Sequence, residues 1–331
     1  MGGKVALVDE YGAFLSVKQG RFQLKVGNEV KWELAPVELD SIVFVKEGCS
    51  LSAAAVLLAN EFGIDIVFMK GNSPKARLLP AKYGTTMLTW NKQLKAFRDE
   101  RKKAEFARKF IEGKIHNQRM VILEYVYKQR AREKPMKEIE DAAEDLNKYE
   151  NEVMKANSPE EVMSLEAHAA KSYWYAVSKL LPPEVGFSQR LTKQRISIEA
   201  SVDGFNLALN IGYAALRKEV WSAVFLAALN PYVGFLHKPR SGKMSLVFDL
   251  MEEFRPIAVD RPLIAFARKE KDTVVSLTKN KEEAFSVVWR QVVSAIYSNE
   301  MALKRQILSQ ARLLASSLRG EAVYKPYKSK W

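Results

Sequence analysis

One cysteine, Cys49, occurs in 331 residues, so neither an intrachain disulfide nor a zinc site built on paired thiolates can form, which argues against redox chemistry. Long apolar runs are also lacking. The longest, 220–229, is broken by Ser222 and is too short to cross a bilayer, and the first 20 residues hold no apolar core of a secretion signal. A soluble chain working in the cytoplasm, with no membrane partner, is the expectation. Proline is sparse at 12, and with 47% hydrophobic residues the chain can bury a sizeable core and divide into about two domains. Glycine is sparse in one part only: nine of the 16 fall in the first 85 residues.

What is abundant is positive charge. The net charge is +13, a field that draws polyanions and makes nucleic acid the leading candidate partner, although basic proteins also occur for reasons of solubility alone. Residues 1–85 hold 10 Lys and Arg against 9 Asp and Glu, and the remainder 42 against 30. The excess therefore lies beyond residue 85.

The glycine-rich part reads as short strands at 5–8, 14–17, 22–26, 30–34, 42–45 and 64–69, with Gly27-Asn28 spaced as a tight hairpin turn. Ser50 or Ser52 is placed to cap a helix from Ala53 to Asn60 that ends near Gly63 and packs on the sheet. After Trp90 apolar residues recur at spacings of three and four, the mark of helix. The expected architecture is α+β: a small N-terminal β domain, 1–85, followed by a larger all-helical domain, 86–331. Residues 80–89, with Pro80 and Gly84, are the expected linker. Between Lys92 and Lys134 stand 14 Lys and Arg against 6 Asp and Glu, which implies one or two basic helices without marking any single lysine.

Ser158-Pro159-Glu160-Glu161 is a strong helix start, with Ser158 as cap, Pro159 in the first turn and Glu161 closing a capping box. The helix should run to about Leu181. Val162, Leu165, Ala169, Tyr173, Ala176, Val177 and Leu180 form its apolar stripe, and Glu166 falls inside it while His168 points away. A carboxylate on a buried face must be paired with a cation, protonated or bound to a metal. The helix alone leaves the choice open.

A second element joins an isolated His237 to Asp249 and Glu252 through a basic loop. If helix begins at Ser245, the two carboxylates lie one turn apart and can reach one point, and Arg255-Pro256 ends or bends the helix. One imidazole with two or three carboxylates suits Mg²⁺ or Mn²⁺, the equipment of phosphoryl transfer. A core histidine with surface acids is the alternative. Asn206 and Asn210 read as hydrogen-bond glue between helices rather than DNA ligands, and Arg190, Arg195, Lys238, Arg240 and Lys243 as cations at the rim of an acidic pocket.

Three stretches, 165–174 (LEAHAAKSYW), 203–213 (DGFNLALNIGY) and 229–252 (from LNPYVGFLH to SLVFDLME), together resemble the CRISPR-associated adaptation integrase family, the larger of the two universal spacer-acquisition proteins. The resemblance implies an N-terminal β domain that dimerises and a helical domain in which Glu166, His237 and Glu252 bind Mg²⁺ or Mn²⁺, with Asp249 beside them as a supporting catalytic acid. It departs from the family pattern at Glu252, where Asp is common, at Ala167, usually Gly, and at Lys171, often Arg. It further implies that double-stranded and branched DNA are substrates, contacted by Arg190, Lys238, Arg240 and Lys243, that a small adaptation protein is the partner of a homodimer, and that the reaction is transesterification of DNA 3′ ends into the CRISPR array. A stand-alone nuclease for branched DNA and a non-catalytic DNA-binding scaffold are the two rival readings.

Overall fold

The computed structural model describes residues 4–70, 73–78, 85–130, 137–191, 202–279, 281–298 and 302–330. Arg195, Pro80 and Gly84 lie outside them. The N-terminal part forms two four-stranded sheets. In one, β1 (Lys4–Val8), β5 (Leu39–Phe44) and β7 (Asp65–Lys70) are parallel neighbours, and β8 (Ser73–Leu78) closes the edge antiparallel to β7. In the other, β4 (Glu29–Leu34), β3 (Arg21–Val26), β2 (Ala13–Lys18) and the two-residue β6 (Ser50–Leu51) follow in that order. The Gly27-Asn28 turn joins β3 to β4 in register Val26 to Glu29, and Gly27 takes φ +59°, a conformation that glycine tolerates without strain. Ser52, not Ser50, caps α1 (Ala53–Glu61), its hydroxyl accepting from the Ala55 N–H.

Helices dominate the rest of the described chain, as the fold class expected. Thr85 already starts α2 (Thr85–Arg98), so half of the expected linker is helix. The basic segment becomes α2 and α3 (Glu100–Arg130), broken at Asp99, whose carboxylate caps the Arg101 and Lys102 N–H groups. With α4 (Lys137–Val153) and α5 (Pro159–Leu180), α3 makes one helical layer. The second is organised on α6 (Gly204–Leu226), packed by α10 (Lys281–Tyr297) and α11 (Leu303–Arg319). Between the layers run α7 (Ser245–Met251), a π-helical turn at Pro256–Asp260, α8 (Arg261–Lys269) and α9 (Lys271–Ser276). A continuous apolar core from Phe106 to Tyr324 holds the helices together, and a separate one from Ala6 to Ile66 holds the sheets. Among the described residues no helix is long and apolar enough to cross a membrane.

Candidate active site

A cleft of about 670 Å³ opens between α3, α5, α6 and the stretch from Leu236 to Asp260, and Glu166, His237 and Glu252 all line it. Each is brought there by a different local rule. Glu166 comes from α5, which starts where expected: Ser158 Oγ accepts from the Glu161 N–H. The capping box is shifted by one residue, because Glu161 reaches back to the Asn157 N–H at 2.7 Å rather than to Ser158. Val162, Ala169, Tyr173, Ala176, Val177 and Leu180 are buried as a stripe. Glu166 stands at its border with a side chain 24% exposed, where the core opens into the cleft. His168 is exposed and pairs locally with the Ser164 carbonyl.

The acid at position 166 does not stand alone. Lys114 of α3 places its ammonium 2.5 Å from Glu166 Oε1 and 2.7 Å from Glu252 Oε2. Burial by itself lowers the Lys114 pKa, but Glu166 and then Glu252 outweigh it and hold the ammonium above the usual lysine range. Lys114 is the central cleft residue that sequence reasoning misses. Its charge hides among 14 similar ones, yet it sits between Ile111 and Ile115, both fully buried, where a cation must find anions.

Glu252 follows the last residue of α7. Its Oε1 lies 3.1 Å from Arg255, while Oε2 meets Lys114 off the hydrogen-bond line and, among the described residues, has no hydrogen-bond partner. Burial raises its pKa, but Arg255, Lys114 and His237 together bring the carboxyl down to about 2.

Asp249 does not share this point, contrary to the expectation from helix spacing. It is fully buried and turned the other way, accepting from the N–H groups of Phe235 (2.5 Å), Leu236 (3.0 Å) and His237 (3.0 Å) and from His237 Nδ1 (2.7 Å). Four donors on one carboxylate decide its direction. The loop passes so closely that a Cβ on Gly234 would lie 2.5 Å from Asp249 Oδ2 and 2.8 Å from the Ser245 carbonyl carbon, so only glycine fits there. A carboxylate can only accept, so Nδ1 is the donor, and the tautomer this selects carries its lone pair on Nε2. Among the described residues no three His, Cys, Asp or Glu side chains stand close enough together to enclose an ion. The point where Glu166 and Glu252 converge is taken by the Lys114 ammonium.

Behind the acids lies a second set of buried groups. Asp260, at the end of the π turn, accepts from Tyr213 (2.6 Å) and Tyr173 (3.0 Å), and the guanidinium groups of Arg255 and Arg190 stand 4.8 and 5.4 Å from the Tyr213 ring. Arg190 is held by Asn206 Oδ1 (2.8 Å) and Asn210 Oδ1 (2.7 Å). The two asparagines are glue, as expected, but they fasten the loop before residue 192 to α6 rather than helix to helix. Lys238 and Arg240 are exposed on the loop after His237, Lys238 pairing with Glu160 at 3.3 Å, and Lys243 lies 5.5 Å over the Phe248 ring.

Burial also pushes the Glu253 carboxyl up to about 7 and Asp260 up to about 6, against the hydrogen bonds both receive. Carboxyls of an unfolded chain titrate near 4, so from about pH 4 to 7 the folded chain binds protons that the unfolded chain does not. Its stability therefore falls as pH rises through that window, by a few kcal/mol. Glu252 acts oppositely: its contribution is complete above about pH 4 and is lost as pH falls toward 2. Thermal unfolding followed from pH 5 to 7.5 should show Tm dropping by several degrees. A flat or rising profile would mean that neither carboxyl retains its proton.

The family model described as CRISPR associated protein Cas1 matches residues 6–294. A relative named CRISPR-associated endonuclease Cas1 1, from Saccharolobus solfataricus, is 43% identical over 330 residues, spanning 100% of this chain and 85% of its own. A casposase bound to integration product superposes with TM-score 0.73 at 24% identity, covering 99% of this chain and 100% of that one. A partial Cas6-RT-Cas1–Cas2 complex superposes with TM-score 0.71 at 16% identity, covering 100% of both chains. At these identities the likeness to the two structures is one of fold.

Proposed function

Because the chain belongs to the CRISPR-associated Cas1 family, we propose that it is the integrase subunit of CRISPR spacer acquisition, a cytoplasmic DNA endonuclease that also joins captured 3′ ends to the array by transesterification. The observation that carries the reading is the meeting of Glu166 and Glu252 across the cleft, beside a histidine whose ring is locked by Asp249. Residues 1–85 serve as the dimerising domain and 86–331 as the catalytic one. A small adaptation protein, the counterpart of Cas2 in the Cas6-RT-Cas1–Cas2 complex, assembles with the dimer.

The residues suit a divalent cation, Mg²⁺ or Mn²⁺. Glu252 Oε2 is a buried oxygen without a hydrogen-bond partner among the described residues, Glu166 Oε1 faces the same cation, and the tautomer set by Asp249 leaves His237 Nε2 as a neutral donor. These three would hold the metal once the Lys114 ammonium gives way, and a bound divalent ion would withdraw charge from the reacting phosphate and acidify an attacking hydroxyl. The remaining steps fall to the protein itself. Lys114 and Arg255 balance the carboxylates and supply positive charge beside the phosphate oxygens. Asp249 keeps the imidazole oriented. Arg190 at the cleft wall and Lys238, Arg240 and Lys243 on the loop take the phosphates of double-stranded or branched DNA.

The test is cleavage and strand transfer on a branched duplex in Mn²⁺ or Mg²⁺, with and without the small partner, and with DNA binding followed separately. Both activities should appear with the metal and vanish in EDTA. Cleavage unaffected by the partner and without joining would reduce the protein to a nuclease for branched DNA. Binding that survives EDTA with no cleavage in any divalent ion would make the acids simple counter-charges for Lys114 and Arg255, and the protein a scaffold.

A further inference from the structure

Helix α7 has only seven residues, and Glu252 follows its last turn, so α7 itself does little to fix that carboxylate. Lys114 and Arg255 pair with its oxygens, and what anchors the backbone that carries it is the next residue. Glu253 is fully buried; its carboxylate accepts from the Tyr324 hydroxyl, from the Tyr327 N–H at 2.7 Å and from Gln310 Nε2 at 2.9 Å, and its carbonyl accepts from Asn117 Nδ2 at 2.7 Å. Asn117 lies one turn beyond Lys114 on α3, is itself fully buried, donates also to the Tyr327 carbonyl at 2.9 Å, and accepts from the Ser329 N–H at 2.7 Å.

The donors other than Gln310 and Asn117 belong to the segment after α11, which forms neither helix nor strand over residues 321–330. The Tyr327 ring stacks on Phe254 at 4.9 Å, and Lys328 pairs with Glu112 at 2.9 Å and Glu150 at 2.7 Å. The segment lies against α3 at Gly113, where a Cβ would come 2.9 Å from Pro326 Cβ, 3.1 Å from Glu253 Cγ and 3.2 Å from the Tyr327 carbonyl oxygen. Gly113 directly precedes Lys114. The backbones that present Glu252 and Lys114 to the cleft are thus both gripped, on their far sides, by one strap.

We propose that residues 321–330 are a positioning element of the active site, holding Glu252 and Lys114 in place through Glu253 and Asn117. The inference rests on the metal-nuclease reading for its catalytic meaning, but not for its geometry. It belongs to the class of supporting groups whose loss weakens metal binding and turnover roughly ten- to a hundredfold.

Gly113→Ala is the sharpest probe. The new methyl would push on Pro326, the Tyr327 carbonyl and Glu253 together, so a role confined to stability predicts a lower Tm with unchanged metal affinity in the folded protein, whereas a positioning role predicts loss of affinity and turnover as well. Tyr324→Phe removes a single hydroxyl from Glu253, and Leu146→Ala, on the buried face of α4, serves as a control for general destabilisation. Mn²⁺ affinity by calorimetry, kcat and KM on branched DNA, and amide hydrogen exchange over residues 249–254 are compared at a temperature where all variants are folded. Gly113→Ala and Tyr324→Phe should each lose at least fivefold in Mn²⁺ affinity and kcat, keep KM, and exchange faster over 249–254, while Leu146→Ala keeps its metal affinity. Unchanged exchange and unchanged Mn²⁺ affinity in both variants would overturn the proposal, as would an equal loss in Leu146→Ala. If the wild type itself binds no Mn²⁺, the metal reading fails, and the exchange data alone decide whether the strap holds α7.

Discussion

Asp249→Asn should lower cleavage and strand transfer by about 10²–10⁴-fold while leaving DNA affinity within a few-fold of wild type. The range spans the usual cost of losing a ligand-orienting carboxylate and that of a wrong histidine tautomer. Asparagine matches aspartate in shape, but one of its two terminal atoms is a donor, and all four partners of Asp249 are donors. Turned one way, the amide faces the backbone N–H groups of Phe235 and Leu236 and pushes the loop off α7. Turned the other, it faces His237 Nδ1, which must then accept, and the ring proton moves to Nε2, removing the lone pair directed at the cleft. Either way His237 is disabled. His237→Ala should lose as much, and the double variant no more than either single one, because the two residues act as a unit. Kinetics and filter binding on the same branched duplex read this directly. An Asp249→Asn enzyme within threefold of wild type would show that His237 needs no orienting partner.

The second large effect concerns stability. Lys114→Met should destabilise the metal-free protein by about 3–5 kcal/mol, the cost of leaving a buried charge without its partner. Lys114 is 12% exposed and Glu166, the carboxylate left without a cation, 24%, so solvent softens the loss only in part. Methionine fills the same volume and isolates the charge as the cause. Arg255 remains beside Glu252 but does not bridge to Glu166. Mn²⁺ should return much of the lost stability, since a ligand at a hundred times its Kd contributes about 2.7 kcal/mol, and it should stabilise Lys114→Met more than wild type. Denaturant unfolding with and without Mn²⁺ measures both. Equal stability of variant and wild type without metal would show that the two carboxylates are not held in place by the ammonium.

Much of this was legible from local pattern. The hairpin at Gly27-Asn28, the cap at Ser52 and both ends of α5 were readable because each depends on a few neighbouring residues. The strand β8 was not, since it begins Ser73-Pro74 and carries Lys75 and Arg77, an edge strand without apolar alternation. Nor was the division into two sheets, because β1, β5 and β7 pair across long separations in sequence. Glu166 is legible because an acid on a buried stripe needs a partner. Lys114, flanked on α3 by the buried Ile111 and Ile115, is legible on the same ground, but a charge count over 92–134 does not set it apart. Asp249 shows the opposite failure. Spacing on a helix gives the direction of a side chain only until stronger partners claim it, and the backbone of residues 235–237 is invisible to any helical projection.

The four charges at the centre of the cleft, Glu166, Glu252, Lys114 and Arg255, cancel. Without a metal these four contribute no net charge, and the attraction felt by an approaching polyanion comes from the rest of a chain whose net charge is +13. On the proposed reading, outlying cations would set how tightly and how salt-dependently DNA is gathered, and the centre what happens to it once there. Sequence drift can retune the first without disturbing the second.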